Sequence, residues 1–341
     1  MKKLAILIGV LTAIIGFTSC SSEWLDEGDH FFLENDGAVM PVWVHGNLSS
    51  DVVIIVTHGG PGATSGYEFP MSLGFQELQK DYMMVYWDQR MSGTSQGDPD
   101  ISKLTIEQHV EDQAKLVELI RHKYNPKSLF LAGHSWGGVL TGKYLGSENH
   151  QELFNGWIDI DGSIQDDFEQ VAKKEWIMDR IDTVMAKSDS PEFWQYIIDW
   201  YEENPDPVEN DWQPYLYVGS LGGYAYDWEH TQATNPTPYK DLIFSSPMTL
   251  AFYFSQYVDI TWMNDYDATE EVSNIEIPSL LLWGAQDGAV PATTAQFTYD
   301  HLATPDVDKQ IILIDECAHS PYYDKPYEFA AVVQDFVETY K

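Results

Sequence analysis

Short apolar runs of strand length alternate with segments of helical period along most of this chain. Val52–Thr57, Met83–Trp87, Ser128–Ala132, Trp157–Ile160, Ser279–Trp283 and Gln310–Ile314 are apolar at nearly every position. Runs that are apolar on both faces predict strands buried between two layers, the usual condition of a parallel sheet. Between them, Thr105–Tyr124 has Ile106, Val110, Ala114, Val117 and Ile120 on one helical face. Val139–Leu145 and Glu328–Tyr340 also read as helical. His30–Glu34 and Val39–His45 flank Asn35-Asp36-Gly37 and predict an opening hairpin. The alternation predicts an α/β fold, with a mostly parallel central sheet flanked by helices.

One interval breaks the pattern. From Ser163 to Glu271 the chain is rich in tryptophan, tyrosine and acids, with turns at Pro205, Pro207, Pro214, Gly222 and Pro236. The βα alternation resumes at Ile277. Residues 163–271 are therefore expected to form a helical cap inserted into a core made of 30–162 and 272–341. Six of the twelve tryptophans lie in it: Trp176, Trp194, Trp200, Trp212, Trp228 and Trp262. Aromatics can wall off a site from water or pack the cap itself.

The first segment stands apart. Lys2 and Lys3 precede the apolar run Leu4–Phe17, which is short for a membrane-spanning helix and has the form of a signal peptide, 1–19. It ends at Phe17-Thr18-Ser19-Cys20, which resembles a bacterial lipobox. That resemblance implies acylation of Cys20, a membrane anchor through it, and an acidic tether over 20–29. Ser21 after the cysteine implies an exported, outer-membrane lipoprotein, facing the periplasm or the surface. The one other cysteine, Cys317, has no thiol partner once Cys20 is lipidated, so no disulfide is expected. A net charge of −36 argues against nucleic acid as a partner, because phosphates would be repelled. It suits solubility outside a cell, and its long-range field is screened beyond about 8 Å at physiological salt.

Gly133-His134-Ser135-Trp136-Gly137 carries the sharpest chemistry. A serine hydroxyl attacks only when a base can take its proton, and a tight strand-to-helix turn exposes it to base and substrate together. Small residues two before and two after the serine make that turn possible. A strand before the motif and a helix after it supply the context. His58-Gly59-Gly60-Pro61-Gly62 follows the strand Val52–Thr57. With the amide of Trp136, the amide of Gly60 is a candidate oxyanion hole. His319, after the strand Gln310–Ile314, is the candidate base. Asp287, after Ser279–Trp283, is the candidate acid, and Asp159 or Asp161 is its rival. The order Ser135, Asp287, His319 fits this architecture. His58 and His134 are expected to be structural, and so is Cys317.

These residues resemble the proline iminopeptidase branch of the α/β hydrolases. The marks are His58–Gly62, Trp87-Asp88-Gln89-Arg90 and Gly133–Gly138, with Asp287 and His319 in place. The likeness runs from about His30 to Lys341. Two departures stand out. Met91 occupies a position where the family has glycine, so the local backbone is expected to differ. Arg90 is expected to pair structurally near the site. The family implies cleavage of an N-terminal residue, often proline, from small peptides, with cap glutamates holding the substrate amine. Glu229 is the first candidate, with Glu202 and Glu203 behind it. A second family glutamate falls at Phe254, a departure that bears on specificity for proline. An esterase or amidase taking a non-peptide acyl substrate would use the same machinery. A surface lipoprotein that binds without catalysis is the reading from another class. No metal or organic cofactor is indicated.

Overall fold

The computed structural model describes residues 28–205, 213–227 and 265–341. Cys20, Glu229, Phe254, Trp212, Trp228 and Trp262 lie outside them.

A hairpin opens the fold, β1 (Asp29–Asn35) and β2 (Ala38–Gly46), turning at Asp36 and Gly37. The sheet continues with β3 (Val52–Thr57), β4 (Met83–Trp87), the two-residue β5 (Gln96–Gly97), β6 (Ser128–His134), β7 (Gly156–Ile160), β8 (Ser279–Gly284) and β9 (Lys309–Ile314). Strand order is β1-β2-β4-β3-β6-β7-β8-β9, with β5 on β2. From β4 to β9 every pairing is parallel. Only the β1, β2, β4 and β5 contacts are antiparallel.

Alternate residues of the same strands feed two cores. Val53, Ile55, Val85, Leu129, Leu131, Trp157, Leu281 and Trp283 pack on one face, against α3 (Ile106–Tyr124) and α4 (Trp136–Gly146). Ile54, Val56, Met84, Tyr86, Phe130, Ile158, Ile160, Leu280 and Leu282 pack on the other. That second face is covered by α1 (Ser65–Met71), α2 (Leu73–Gln79) and α11 (Pro326–Tyr340). The unbroken apolar runs follow directly from burial on both sides.

The cap begins beyond β7. Its described helices are α5 (Asp166–Met185), α6 (Pro191–Glu203) and α7 (Gln213–Ser220). They share a core of Trp176, Ile177, Ile181, Trp194, Ile197, Tyr201, Tyr217 and Val218. The chain rejoins the sheet through α8 (Thr269–Val272), and α9 (Thr293–His301) and α10 (Pro321–Asp324) complete the core domain. Trp176 and Trp194 are buried, so these two pack the cap as aromatic core.

The buried stripe of α3 differs from the one the apolar spacing predicts. Ile106, Val117 and Ile120 are buried, but Val110 and Ala114 are only half-buried. His109, Asp112 and Gln113 take the inward positions instead. The cause is Arg90. Its guanidinium is 1% exposed and forks onto Asp112, with Nε 2.6 Å from Oδ2 and Nη2 2.8 Å from Oδ1. A buried guanidinium requires a buried carboxylate. A hydropathy pattern cannot register a polar pair that satisfies itself.

Candidate active site

The strand order reverses between β3 and β6, β4 lying to one side of β3 and β7 beyond β6. Such a switch point leaves a crevice at the carboxyl ends of the strands. Thr57 and Gly133 pair across it. Hence the loop that starts at His58 faces the turn that holds Ser135. The ends of β7, β8 and β9 deliver Asp161, Asp287 and His319 to the same edge.

Ser135 has φ 55° and ψ −125°, a strained backbone between β6 and α4. The turn is closed by Gly138 N–H and Ser163 N–H, which both donate to the Ser135 carbonyl at 2.8 and 2.9 Å. Side chains two residues either way would not fit. A Cβ on Gly133 would lie 2.5 Å from the Gly137 carbonyl oxygen, and one on Gly137 would lie 2.2 Å from that of Thr57. The helix α4 starts at Trp136, so its free amides and positive dipole end face the turn. Gly59 abuts the serine, since a Cβ there would lie 2.8 Å from Ser135 Cβ. Gly60, the next residue, holds a φ of 121°.

The glycine loop is tied down by the Asp88–Arg90 segment. Gln89 Nε2 donates to the His58 carbonyl at 2.8 Å, and Gln89 N–H donates to His58 Nε2 at 3.0 Å. Asp88 Oδ1 accepts from Thr64 Oγ1 and Ser65 N at 2.8 Å, while its Oδ2 accepts from Thr94 N at 2.7 Å. His58 is therefore structural. Met91 takes φ 56°, in the left-handed region. The methionine keeps the left-handed conformation that glycine adopts without cost, and bears the strain.

His319 Nδ1 donates to Asp287 Oδ2 at 2.8 Å. Asp287 Oδ1 accepts from the amides of Ala289 and Val290 at 2.8 and 3.0 Å. These bonds fix the tautomer that leaves His319 Nε2 as the acceptor. His134 Nε2 donates to the His319 carbonyl at 2.9 Å, and the two rings lie 4.9 Å apart. Thus His134 positions the base. Burial first, and the Lys173 charge second, push the His319 imidazole down to about 3. The ring is a neutral base at neutral pH.

Both rival acids are fully buried, and they differ. Asp159 has no hydrogen-bond partner on either oxygen and wedges against Gly138 and Gly162. Burial holds its pKa well above the carboxylate range, so it is a neutral group behind the serine turn. Asp161 lies beside Asp287 and His319, with one atom of each within 4.8 Å of the others. Its Oδ1 accepts from Gly284 N–H at 2.8 Å. Among the described residues these three form the one group with the composition for a cation. His319 and Asp287 are already hydrogen-bonded to each other, and Asp161 to the Gly284 amide. Burial raises both carboxyls, and repulsion from Asp287 raises Asp161 further. The bonds to Asp287 all favour its ionised form, so Asp161 holds the proton and Asp287 the charge.

Cys317 is buried, and burial pushes its thiol pKa up, which leaves it unreactive. Glu202 and Glu203 are exposed at the end of α6, because Trp194, Ile197 and Tyr201 turn the other face inward. The structure does not bring them to Ser135, Asp287 or His319 through any described contact. What sequence reasoning missed is the inner face of α5. Glu169 accepts from the amides of Ile164 and Gln165 at 2.6 and 3.1 Å and from Tyr266 Oη at 2.7 Å. The Tyr266 ring stands edge-on to Trp136 at 5.5 Å. Trp176 covers Gly288, beside Asp287. The spacing of Glu169, Lys173 and Trp176 on one helical face was the available signal.

A family model described as the alpha/beta hydrolase fold matches residues 52–326. The proline iminopeptidase of Heyndrickxia coagulans is 24% identical over 301 residues, which cover 84% of this chain and 90% of that protein. The proline iminopeptidase-related protein of Thermus thermophilus superposes with a TM-score of 0.61 at 19% identity, covering 92% of this chain and 98% of its own. An esterase from a Rhodococcus species gives a TM-score of 0.61 at 16% identity, covering 92% and 100%. By the match over most of its length and the serine turn, glycine loop and acid–base pair described above, the chain belongs to the α/β hydrolase family, as a hydrolase of its proline iminopeptidase-like branch.

Proposed function

We propose that this protein is a serine hydrolase that removes N-terminal residues from small peptides through an acyl-enzyme on Ser135. One observation carries the reading: a serine on a strained strand-to-helix turn shares the sheet edge with a histidine hydrogen-bonded to a buried aspartate at 2.8 Å. His319 takes the Ser135 proton as Oγ attacks the scissile carbonyl carbon. The oxyanion that forms is received by the amides of Trp136 and Gly60. Collapse breaks the C–N bond, and the imidazolium gives its proton to the leaving amine. Water then adds to the acyl-enzyme by the same route and frees Ser135.

The Heyndrickxia coagulans relative named above is a proline iminopeptidase, which supports the aminopeptidase reading. With Glu202 and Glu203 in solvent, recognition of a free amine falls to Glu229 among the named acids. That observation favours the rival, an esterase or amidase on a non-peptide acyl substrate. Turnover of aminoacyl-naphthylamides against short acyl esters separates the two. Ester-only activity, unchanged in Glu229→Gln, would sink the peptidase reading. Labelling by a fluorophosphonate that is lost in Ser135→Ala is expected, and labelling independent of Ser135 would favour a binding protein.

The basic and apolar start and Cys20 support export and lipid anchoring. Radiolabelled palmitate should enter the wild type and not Cys20→Ala. Incorporation into both would overturn the anchor.

A further inference from the structure

Lys173 is 1% exposed, on the inner face of α5. A lysine at that depth ordinarily has a carboxylate partner. Here the close contact of its Nζ among the described residues is the ring face of Tyr215 in α7, 3.6 Å away. Its charge favours the ionised forms of Asp166, Glu169 and Asp287 at longer range, but the two acids on its own helix make their hydrogen bonds elsewhere. Glu169, one turn before, is held by two amides and Tyr266, and burial raises its pKa to about 7. Asp166 accepts from Gln170 at 3.0 Å.

The neighbours of Lys173 fix where it lies. One turn before it, Glu169 reaches through Tyr266 to Trp136, the residue after the nucleophile. Three residues after it, Trp176 rests on Gly288, the residue after Asp287. The Tyr224 ring stands edge-on to His319 at 6.0 Å and beside Gly219 of α7. Lys173 thus occupies the stretch of α5 between the oxyanion side and the acid side of the triad, under the helix that carries Tyr215.

We propose that Lys173 is a specificity residue that receives a carboxylate of the substrate, so that the site prefers acyl substrates or short peptides with an anionic group near the scissile carbonyl. The proposal rests on the serine-hydrolase reading above and is independent of the choice between peptide and ester. A cation facing the triad disfavours the imidazolium that must form on His319. A substrate carboxylate on Lys173 cancels that charge and lets the base accept its proton. In the resting enzyme Lys173 does lower the pKa of His319. The carboxylate would therefore act on kcat as well as on KM. In a peptide substrate the side-chain carboxylate of an N-terminal glutamyl residue, on the acyl side of the scissile bond, meets this requirement.

The test compares p-nitrophenyl hemiglutarate with p-nitrophenyl butyrate, and glutamyl-naphthylamide with glutaminyl-naphthylamide, in wild type, Lys173→Met and Lys173→Arg. Wild type should favour the carboxylate member in kcat/KM by about ten- to a hundredfold, the scale of one charge-assisted hydrogen bond. The preference should collapse in Lys173→Met and persist in Lys173→Arg. Equal preference in wild type and Lys173→Met would overturn the proposal, as would a wild-type preference for the neutral ester. Hydrolysis of the esters alone, with the preference present, would remove the peptidase reading and leave Lys173 standing. Glutarate binding to Ser135→Ala, measured by calorimetry, reads the site without turnover. Binding that survives Lys173→Met on that background would count against it.

Discussion

Asp161 and Asp287, at the ends of neighbouring strands β7 and β8, bring two fully buried carboxyl groups to one histidine. Like charges at that separation in a dry site cannot both ionise. Asp161 Oδ2 has no donor aimed at it, which suits an oxygen that carries the proton. Asp287 is the carboxylate that orients His319, and Asp161 is a neutral prop for it.

The two carboxyls should therefore respond differently to the same change. Asp287→Asn presents an amide where His319 needs an acceptor and should lower kcat by about ten-thousandfold. Asp161→Asn keeps a neutral donor at the same place and should cost less than about tenfold, the scale of one neutral hydrogen bond. Single-turnover acylation rates for both variants check this. A larger loss in Asp161→Asn would exchange the roles.

Arg90 and Asp112 form a buried pair whose halves cannot stand alone. Arg90→Met leaves the Asp112 carboxylate unpaired and should cost about 3 to 5 kcal/mol in urea unfolding. Burial already raises the Asp112 pKa against the pull of Arg90. Without the arginine it rises further, so the neutral form is favoured in the fold. That contribution is present below the unfolded carboxylate pKa and is lost as pH rises. The penalty for Arg90→Met should therefore be larger at pH 8 than at pH 4.

Met91 holds a left-handed backbone with a half-buried side chain. Met91→Gly relieves about 1 to 2 kcal/mol of backbone strain and restores part of that as chain entropy in the unfolded state. A net gain of about 0.5 to 1 kcal/mol is expected, read as a rise in the urea midpoint with unchanged slope.

Glu169 makes stability fall as pH rises, because its folded pKa of about 7 stands above the ordinary value of 4.5. Its contribution is complete below pH 4.5 and is lost up to pH 7, on the order of 3 kcal/mol across that window. The buried His134 and His319 act in the opposite direction. Each contributes stability above its unfolded pKa, and this is lost as pH falls toward about 3. Glu169→Gln should take this one falling contribution out of the profile between pH 4.5 and 7 and leave those of the two histidines and of Asp159 and Asp161 in place. Thermal melts at pH 5 and pH 7.5 test it, and an unchanged difference between them would refute the assignment.

Much of this was legible in the chain. The sequence alone determined the parallel strands, because burial on both faces leaves no polar position to break an apolar run. It also determined the serine turn, since only glycine fits at 133 and 137 where backbone oxygens approach within 2.5 Å. The order of Ser135, Asp287 and His319 followed from where those strands end. Periodicity could not find the inward face of α3, where Arg90 and Asp112 satisfy each other from distant parts of the chain. Nor could it separate Asp159, Asp161 and Asp287, which share a residue type and a place at or beyond the end of a strand. Only the tertiary structure decided which of them meets His319, which keeps a proton, and that Lys173 is turned inward rather than out to solvent. The reason is the same in each case. A propensity or a motif is a property of neighbours along the chain, while the charge state and orientation of a buried group depend on neighbours brought from elsewhere.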